Sequence, residues 1–318
     1  MITRTLLALA VLPGLGLAGA AAAGESGATG PAALAFVPGD APNTYRFDTG
    51  VLRGLVPFET QSLGLLPAVH VPTDTPLAAS MGLFNYYRVF TTNHRFVESM
   101  RAIPSATRLL PDGALEVHWR ADAERPYDLT ALYRWTAPDV LDLVTTVIAT
   151  AELPDFEVFL ASYFTDRLPV SRLYVQQTRD GQKNAFMAAE KAYGVWQAYP
   201  RDDAAAALIT DGRWTKPPSP VDWVLMPQIA APLGVRRAPD TGVAVVLMAP
   251  PEDAFAVFTP CADEAHYSMY LGLFGRTLAP GERATAHSRM LVTTETRDAA
   301  LVDAYRAYID ALGKERQP

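Results

Sequence analysis

ALEVHW (114–119), YDLTALYRW (127–135), VLDLVTTVIAT (140–150) and FEVFLASYF (156–164) follow one another with short breaks, and how they are read decides the fold. In the first, Leu115, Val117 and Trp119 fall on one face, and Glu116 and His118 on the other. Side chains alternate faces along a strand, so period-two runs rich in Val, Thr, Tyr and Phe predict β-structure. Pro111-Asp112-Gly113, Arg125-Pro126, Pro138-Asp139 and Pro154-Asp155 supply turn chemistry between the runs. Strand, turn, strand at this spacing predicts an antiparallel meander.

Working outward, Tyr45–Pro57, Leu63–Val71 and Gly82–Phe90 read as strands on the N-terminal side, with Thr91-Thr92-Asn93-His94 as a loop. Downstream, Arg172–Gln177 and Ala185–Ala189 flank a turn at Asp180-Gly181. Asp222–Ile229, Gly242–Met248, Ala254–Thr259, His266–Phe274 and Gly281–Thr296 read as further strands. Two stretches break the pattern. Asp202–Leu208 is a short helix signal, with Asp202 or Asp203 as N-cap before an alanine run. From 297 to 314 the period becomes helical: Leu301, Ala304, Tyr305, Tyr308, Ile309 and Leu312 share one face, and Gly313 is a plausible stop. The expected fold is mainly β: a large antiparallel two-sheet β-sandwich with a short internal helix and a C-terminal helix.

Residues 1–23 read as a signal peptide, with Arg4 as the basic start, Leu6–Ala20 as the apolar run and Ala21-Ala22-Ala23 as the cleavage site. That run is short, Gly- and Ala-rich, and lacks a basic stop-transfer flank, so no membrane span is expected after cleavage. Residues 24–43 are rich in Gly, Ala and Pro and read as a flexible leader, and 44–318 as one domain. The expected location is exported, periplasmic or extracellular.

Composition narrows the function. Apolar residues make up 49% and charged ones 19%, which is ample for a large core. The formal net charge is −7, with both signs interspersed, and this argues against a phosphate-tracking surface and a nucleic-acid partner. Cys261 is the only cysteine, so stability must come from packing rather than from an internal disulfide. The five histidines have no metal-ligand spacing, and no phosphate loop or nucleophile elbow is present outside residues 1–23. No cofactor or metal is expected.

What remains is a set of polar residues among aromatic strands and loops. Arg53, His70, Tyr87, Arg88, Asn93 and His94 crowd the first part of the chain. Glu157 and Tyr163 lie on the last of the quoted strands. Trp196, Asp202, Arg213, Trp214 and Trp223 fill the loop-rich middle, and His266 and Tyr267 come late. Rings stack on the apolar faces of sugars while charged groups bond to their hydroxyls, so this mixture suits a saccharide. His70, His94 and His266, with Glu157, are the candidate proton movers, since a His beside a carboxylate can exchange protons near neutrality. Arg53, Tyr87, Arg88, Asn93, Tyr163, Trp196, Asp202, Arg213, Trp214 and Tyr267 are the candidate substrate contacts. One by one, each ring is more often core and each Arg more often a structural ion pair.

The segments LEVHW, PYDLTALYRW, LDLVTTVIA and LPDFEVFLASYF resemble the mutarotase-like supersandwich proteins, which include aldose epimerases, glycoside hydrolases, polysaccharide lyases and noncatalytic domains. The chain also resembles exported bacterial proteins of unassigned activity that carry FDTGVLRG, YYRVFTTN, FEVFLASYF, DGRW and HYSMYLGLFGR segments. The resemblance implies a concave sheet that faces carbohydrate. The epimerases relay protons through a His and a Glu, but Asn93, His94 and Arg95 stand adjacent here rather than at epimerase spacing, so that reaction is not carried over. The expectation is therefore an exported carbohydrate-interacting protein: a hydrolase, lyase or epimerase, or a noncatalytic glycan- or protein-binding sandwich. Fold alone does not choose among them.

Overall fold

A computed structural model describes residues 34–58, 61–92 and 94–316, and in it the quoted stretch divides between two sheets. Leu115–Trp119, Tyr127–Ala137 and Val140–Ala149 are neighbours joined by short turns, as a meander requires. They belong to a nine-stranded antiparallel sheet. Its spatial order is Lys183–Ala188, Val170–Gln177, Ile229–Arg237, Ala244–Met248, Arg283–Thr293, Val140–Ala149, Tyr127–Ala137, Leu115–Trp119 and Ala106–Leu109.

Leu153–Tyr163 leaves this sheet, and the meander ends before it. It crosses to a seven-stranded sheet and pairs with Asn85–Thr91 on one side and Ser268–Leu278 on the other. Pro154 and Asp155, expected as a turn, lie inside this strand, where the pairing with Ser268–Leu278 shifts register between Leu153 and Phe156 and Asp155 is left-handed at φ 49°. Burial shows the difference. Tyr127–Trp135 alternates buried and half-buried, as expected of a strand with one solvated face, whereas from Phe156 to Phe164 every residue is buried. A near-continuous apolar run is what a strand covered on both faces needs.

The rest of the seven-stranded sheet is Ala254–Pro260, Trp196–Pro200 and the short edge Val224–Leu225 on one side, and His94–Arg95 on the other. Val224–Leu225 pairs in parallel with Trp196–Pro200; the other pairings are antiparallel. Thr91 and His94, both expected in a loop, instead pair across the antiparallel strands Asn85–Thr91 and His94–Arg95. The two large sheets face each other across one core built from Val89, Val158, Leu160 and Leu271 on one side and Val117, Leu129, Leu143 and Val292 on the other. Tyr86 donates to or accepts from Thr145 Oγ1 at 2.7 Å across that core, and its ring meets Trp119 edge to face at 5.4 Å.

A five-stranded sheet (Val37–Pro38, Thr44–Asp48, Leu52–Pro57, Ala68–His70, Thr75–Pro76) packs Phe36 and Phe47 onto Trp135. The ordered chain therefore includes part of the stretch that reads as a leader: Phe36 is buried and Val37 pairs with Arg46. The expected signal peptide, residues 1–23, and residues 24–33 of the expected leader lie outside the described residues.

Both helices form. Asp202 caps Asp203–Ile209 by accepting from Ala205 N–H at 2.8 Å. Asp298–Glu315 lays Leu301, Val302, Tyr305 and Tyr308 on the outer face of the nine-stranded sheet. It runs through Gly313, since a lone glycine in a helix costs only about 1 kcal/mol. No helix among the described residues is long and apolar enough to cross a membrane.

Candidate functional site

On Leu153–Tyr163, alternation sends Val158 and Leu160 into the inter-sheet core and Glu157, Phe159, Ala161 and Tyr163 to the other face of the seven-stranded sheet. On the neighbouring strand the register slips: Phe159 pairs with Arg88 but Leu160 with Tyr86. A β-bulge at Tyr87 absorbs the extra residue. As a result, Tyr87 and Arg88, successive in sequence, line the same cleft.

The segment between Trp196–Pro200 and Ile229–Arg237 folds over this face. Trp214 is its anchor, with ring centroids 4.8 Å from Phe90, 4.7 Å from Phe159 and 5.4 Å from Trp223. A cleft of about 230 Å³ remains, walled by Tyr87, Tyr163, Trp196, Trp214, Trp223 and Tyr270, with Arg88, Arg101 and His266 among its polar groups. It adjoins a second hollow of about 610 Å³, sharing Met81, Tyr87, Arg101 and Ser219 as wall. The two are together large enough for a ligand of several rings.

Electrostatically the cleft is basic. Arg88 is 1% exposed; its Nη2 donates to Ser219 O at 2.6 Å and to the Tyr87 hydroxyl at 3.2 Å. The guanidiniums of Arg88, Arg101 and Arg95 lie 4.7, 4.6 and 5.9 Å from the Tyr87 ring. Burial alone would raise the Tyr87 phenol, but these three cations overcome it and hold the phenol below its ordinary value. Tyr163, deeper in the wall, is pushed up by burial.

His266 stands at the rim, half-exposed, with Glu264 Oε1 2.8 Å from its Nδ1. Its ring is 5.6 Å from that of Trp196 and 6.4 Å from that of Tyr163. Both chain neighbours are left-handed without being glycine: Ala265 at φ 64° and Tyr267 at φ 47°. Such conformations persist only where surrounding structure enforces them, and they gather at functional sites.

The structure brings together Tyr87, Arg88, Tyr163, Trp196, Trp214 and His266 and leaves the other candidates elsewhere. His70 is buried on the small sheet, where it bonds to Thr73 Oγ1 at 2.8 Å and burial lowers its pKa. Arg53 lines a separate groove on that sheet. His94 meets Phe96 edge to face at the sheet edge, and Asn93 lies outside the described residues. Asp202 is occupied as a helix cap, and the N–H of Ala205 holds its carboxyl below the usual range. Tyr267 packs against the main core.

Glu157 and Arg213 form a wholly buried pair, with Arg213 Nη1 donating to Glu157 Oε2 at 3.0 Å. Asp211 occupies the other edge of the same guanidinium. Neither Glu157 nor Arg213 lines the cleft. Burial pushes the Glu157 carboxyl up to about 7 against the pull of Arg213. The pair ties Leu153–Tyr163 to the covering segment at Arg213, the residue before Trp214.

Sequence reading does not single out Arg101, Phe159 or Tyr270. Arg101 sits in a single 3₁₀ turn, Met100–Ala102, which has no periodicity to place it; Phe159 and Tyr270 look like ordinary alternating core residues. Among the described residues no three His, Cys, Asp or Glu side chains come together as a metal site.

No protein-family model matches this chain, and no curated protein matches it. Among solved structures, it is similar to an α-N-acetylgalactosaminidase from Bifidobacterium bifidum (quadruple mutant), with TM-score 0.53 and 13% identity over 84% of this chain and 39% of that one. A putative aldose 1-epimerase from Escherichia coli K12 aligns with TM-score 0.44 and 13% identity over 79% of this chain and 98% of that one. A mutant heparan sulfate lyase from Pedobacter heparinus aligns with TM-score 0.46 and 5% identity over 83% and 37%. At 13% identity the likeness to the α-N-acetylgalactosaminidase is one of fold alone.

Proposed function

We propose that this is an exported carbohydrate-interacting protein that holds a saccharide in the cleft on the seven-stranded sheet and acts on it by proton transfer. The observation that carries the reading is the cleft itself, in which Tyr87, Tyr163, Trp196 and Trp223 wall a basic floor with His266 at the rim. Ring faces suit the C–H faces of a sugar, and guanidinium and imidazole groups suit its oxygens. The carbohydrate-active names among structures of similar fold support the reading.

Two groups are equipped for proton transfer. Glu264 engages Nδ1 of His266, which fixes the ring and leaves Nε2 as the exchanging nitrogen. Tyr87, which lines the same cleft with its phenol held below its ordinary value by Arg88, Arg95 and Arg101, is the second acid–base group. The reaction class stays among hydrolysis, elimination and epimerisation.

A noncatalytic glycan-binding role is the second reading. It is favoured by the local character of the His266–Glu264 contact, two residues apart in one exposed turn. The test is a screen of the purified chain, from residue 24 on, against a polysaccharide panel, scoring binding and release of reducing ends. Turnover abolished by His266→Ala, with binding retained, supports catalysis; binding without turnover across the panel selects the second reading. N-terminal sequencing of material from the medium or periplasm tests export, with Gly24 expected as the first residue.

A further inference from the structure

The Arg88 guanidinium is 1% exposed and lines the cleft, yet its Nε and Nη1 have no hydrogen-bond partner. A buried donor left unmade costs about 1–3 kcal/mol, and more when it is charged. Such a group normally has a carboxylate beside it. Among the described residues no carboxylate lies within ion-pair distance of either Arg88 or Arg101.

Glu157, on the same face as Arg88, is engaged by Arg213. No Asp or Glu lines the smaller cleft, and Glu98 is the single acid lining the larger hollow. Arg101 is also buried: one of its nitrogens donates to Asn85 Oδ1 at 3.1 Å, and its guanidinium lies over the Tyr163 ring at 5.2 Å. Two cations are therefore held at one aromatic wall of an acidic protein, with two donors of the deeper one unspent.

We infer that the cleft selects an acidic saccharide, a sugar bearing a carboxylate or a sulfate, whose anionic group is received by Arg88 with Arg101 beside it. This rests on the saccharide reading above and adds the charge of the ligand. A neutral sugar offers only hydroxyl oxygens to a desolvated guanidinium, whereas an oxyanion offers the charge-assisted bonds that such a group makes most strongly. The shared wall at Tyr87 and Arg101 places the anion where the two hollows meet, so further rings of an oligosaccharide extend from it to either side.

The experiment is calorimetric titration of the chain from residue 24 on with oligogalacturonate, a sulfated glycosaminoglycan oligosaccharide, and neutral cello- and malto-oligosaccharides, at low salt and at 0.5 M NaCl. Expected is binding of a carboxylated or sulfated ligand at least tenfold tighter than any neutral one, weakened at least tenfold by Arg88→Met. The preferred acidic arm identifies the anion. Should Arg88→Met fail to fold, as judged by near-UV circular dichroism, Arg101→Met and the loss of wild-type affinity at high salt serve in its place. Neutral ligands bound as tightly as acidic ones would overturn the inference and leave the saccharide reading standing. Acidic binding unchanged in a folded Arg88→Met would also overturn it, and binding of none of the panel would remove both.

Discussion

Replacing Glu157 by Gln tests the account of the buried pair most sharply, because the expected effect changes with pH. Burial raises the Glu157 carboxyl from 4.5 to about 7 in spite of Arg213. A folded-state pKa above the unfolded one means that the native state binds the extra proton. The associated stability is full below about pH 4.5 and is lost as pH rises to about 7. A shift of this size corresponds to about 3 kcal/mol. Gln has the same shape and no charge, so the variant does not suffer this loss.

Gln does carry an amide N–H₂ into a place where Glu157 Oε1 already has no partner, at a cost of about 1–3 kcal/mol. The variant should therefore be less stable than wild type by that amount at pH 4.5 and should draw level with it, or pass it, by pH 8. Urea unfolding of both proteins across that range measures the difference, in which the other titrating groups cancel. Arg213→Met is the control. It removes the cation and leaves Glu157 buried beside Asp211, so it should cost about 3–5 kcal/mol at pH 8 and less at pH 5, where Glu157 is protonated. A Glu157→Gln deficit that stays flat or widens with pH would refute the reasoning, since it would mean that the ion pair more than repays its desolvation.

Two further outcomes follow from packing and backbone. Trp214→Ala removes the ring that touches Phe90, Phe159, Trp223 and Phe258; a loss of about 3–5 kcal/mol in chemical denaturation is expected, together with a weakened near-UV aromatic signal. Gly64 and Gly242 both have positive φ, at 67° and 73°, but a Cβ on Gly64 would stand 2.0 Å from Leu83 O while one on Gly242 would meet nothing within 4 Å. Gly242→Ala should cost about 1 kcal/mol and Gly64→Ala clearly more, and equal melting temperatures for the two would contradict the placement of Gly64.

Legibility in the sequence followed the range of the interaction. The strands at 115–119, 127–137 and 140–149, the Asp202 cap and the C-terminal helix face are set by neighbours one to four residues away, and they stand where periodicity puts them. Trp196 and Trp214 stood among the candidate substrate contacts by residue type, and both line the cleft. His70 and Glu157 were readable only as residue types. One is bonded to Thr73 beneath the small sheet and the other is closed off by Arg213, partners that no spacing announces.

The alternation of side chains along the regular strands, as at 115–119 and 127–135, was determined by the sequence alone, since a two-residue period is a local property of extended backbone. Tertiary structure alone decided that Leu153–Tyr163 changes sheet and that a bulge puts Tyr87 and Arg88 into one cleft. It also decided that Arg101, His266 and Trp223 converge on that cleft from remote segments. Those outcomes depend on register and crossover between strands far apart in the chain. Many pairings satisfy the local alternation equally well, and only the packing of the whole core selects one of them.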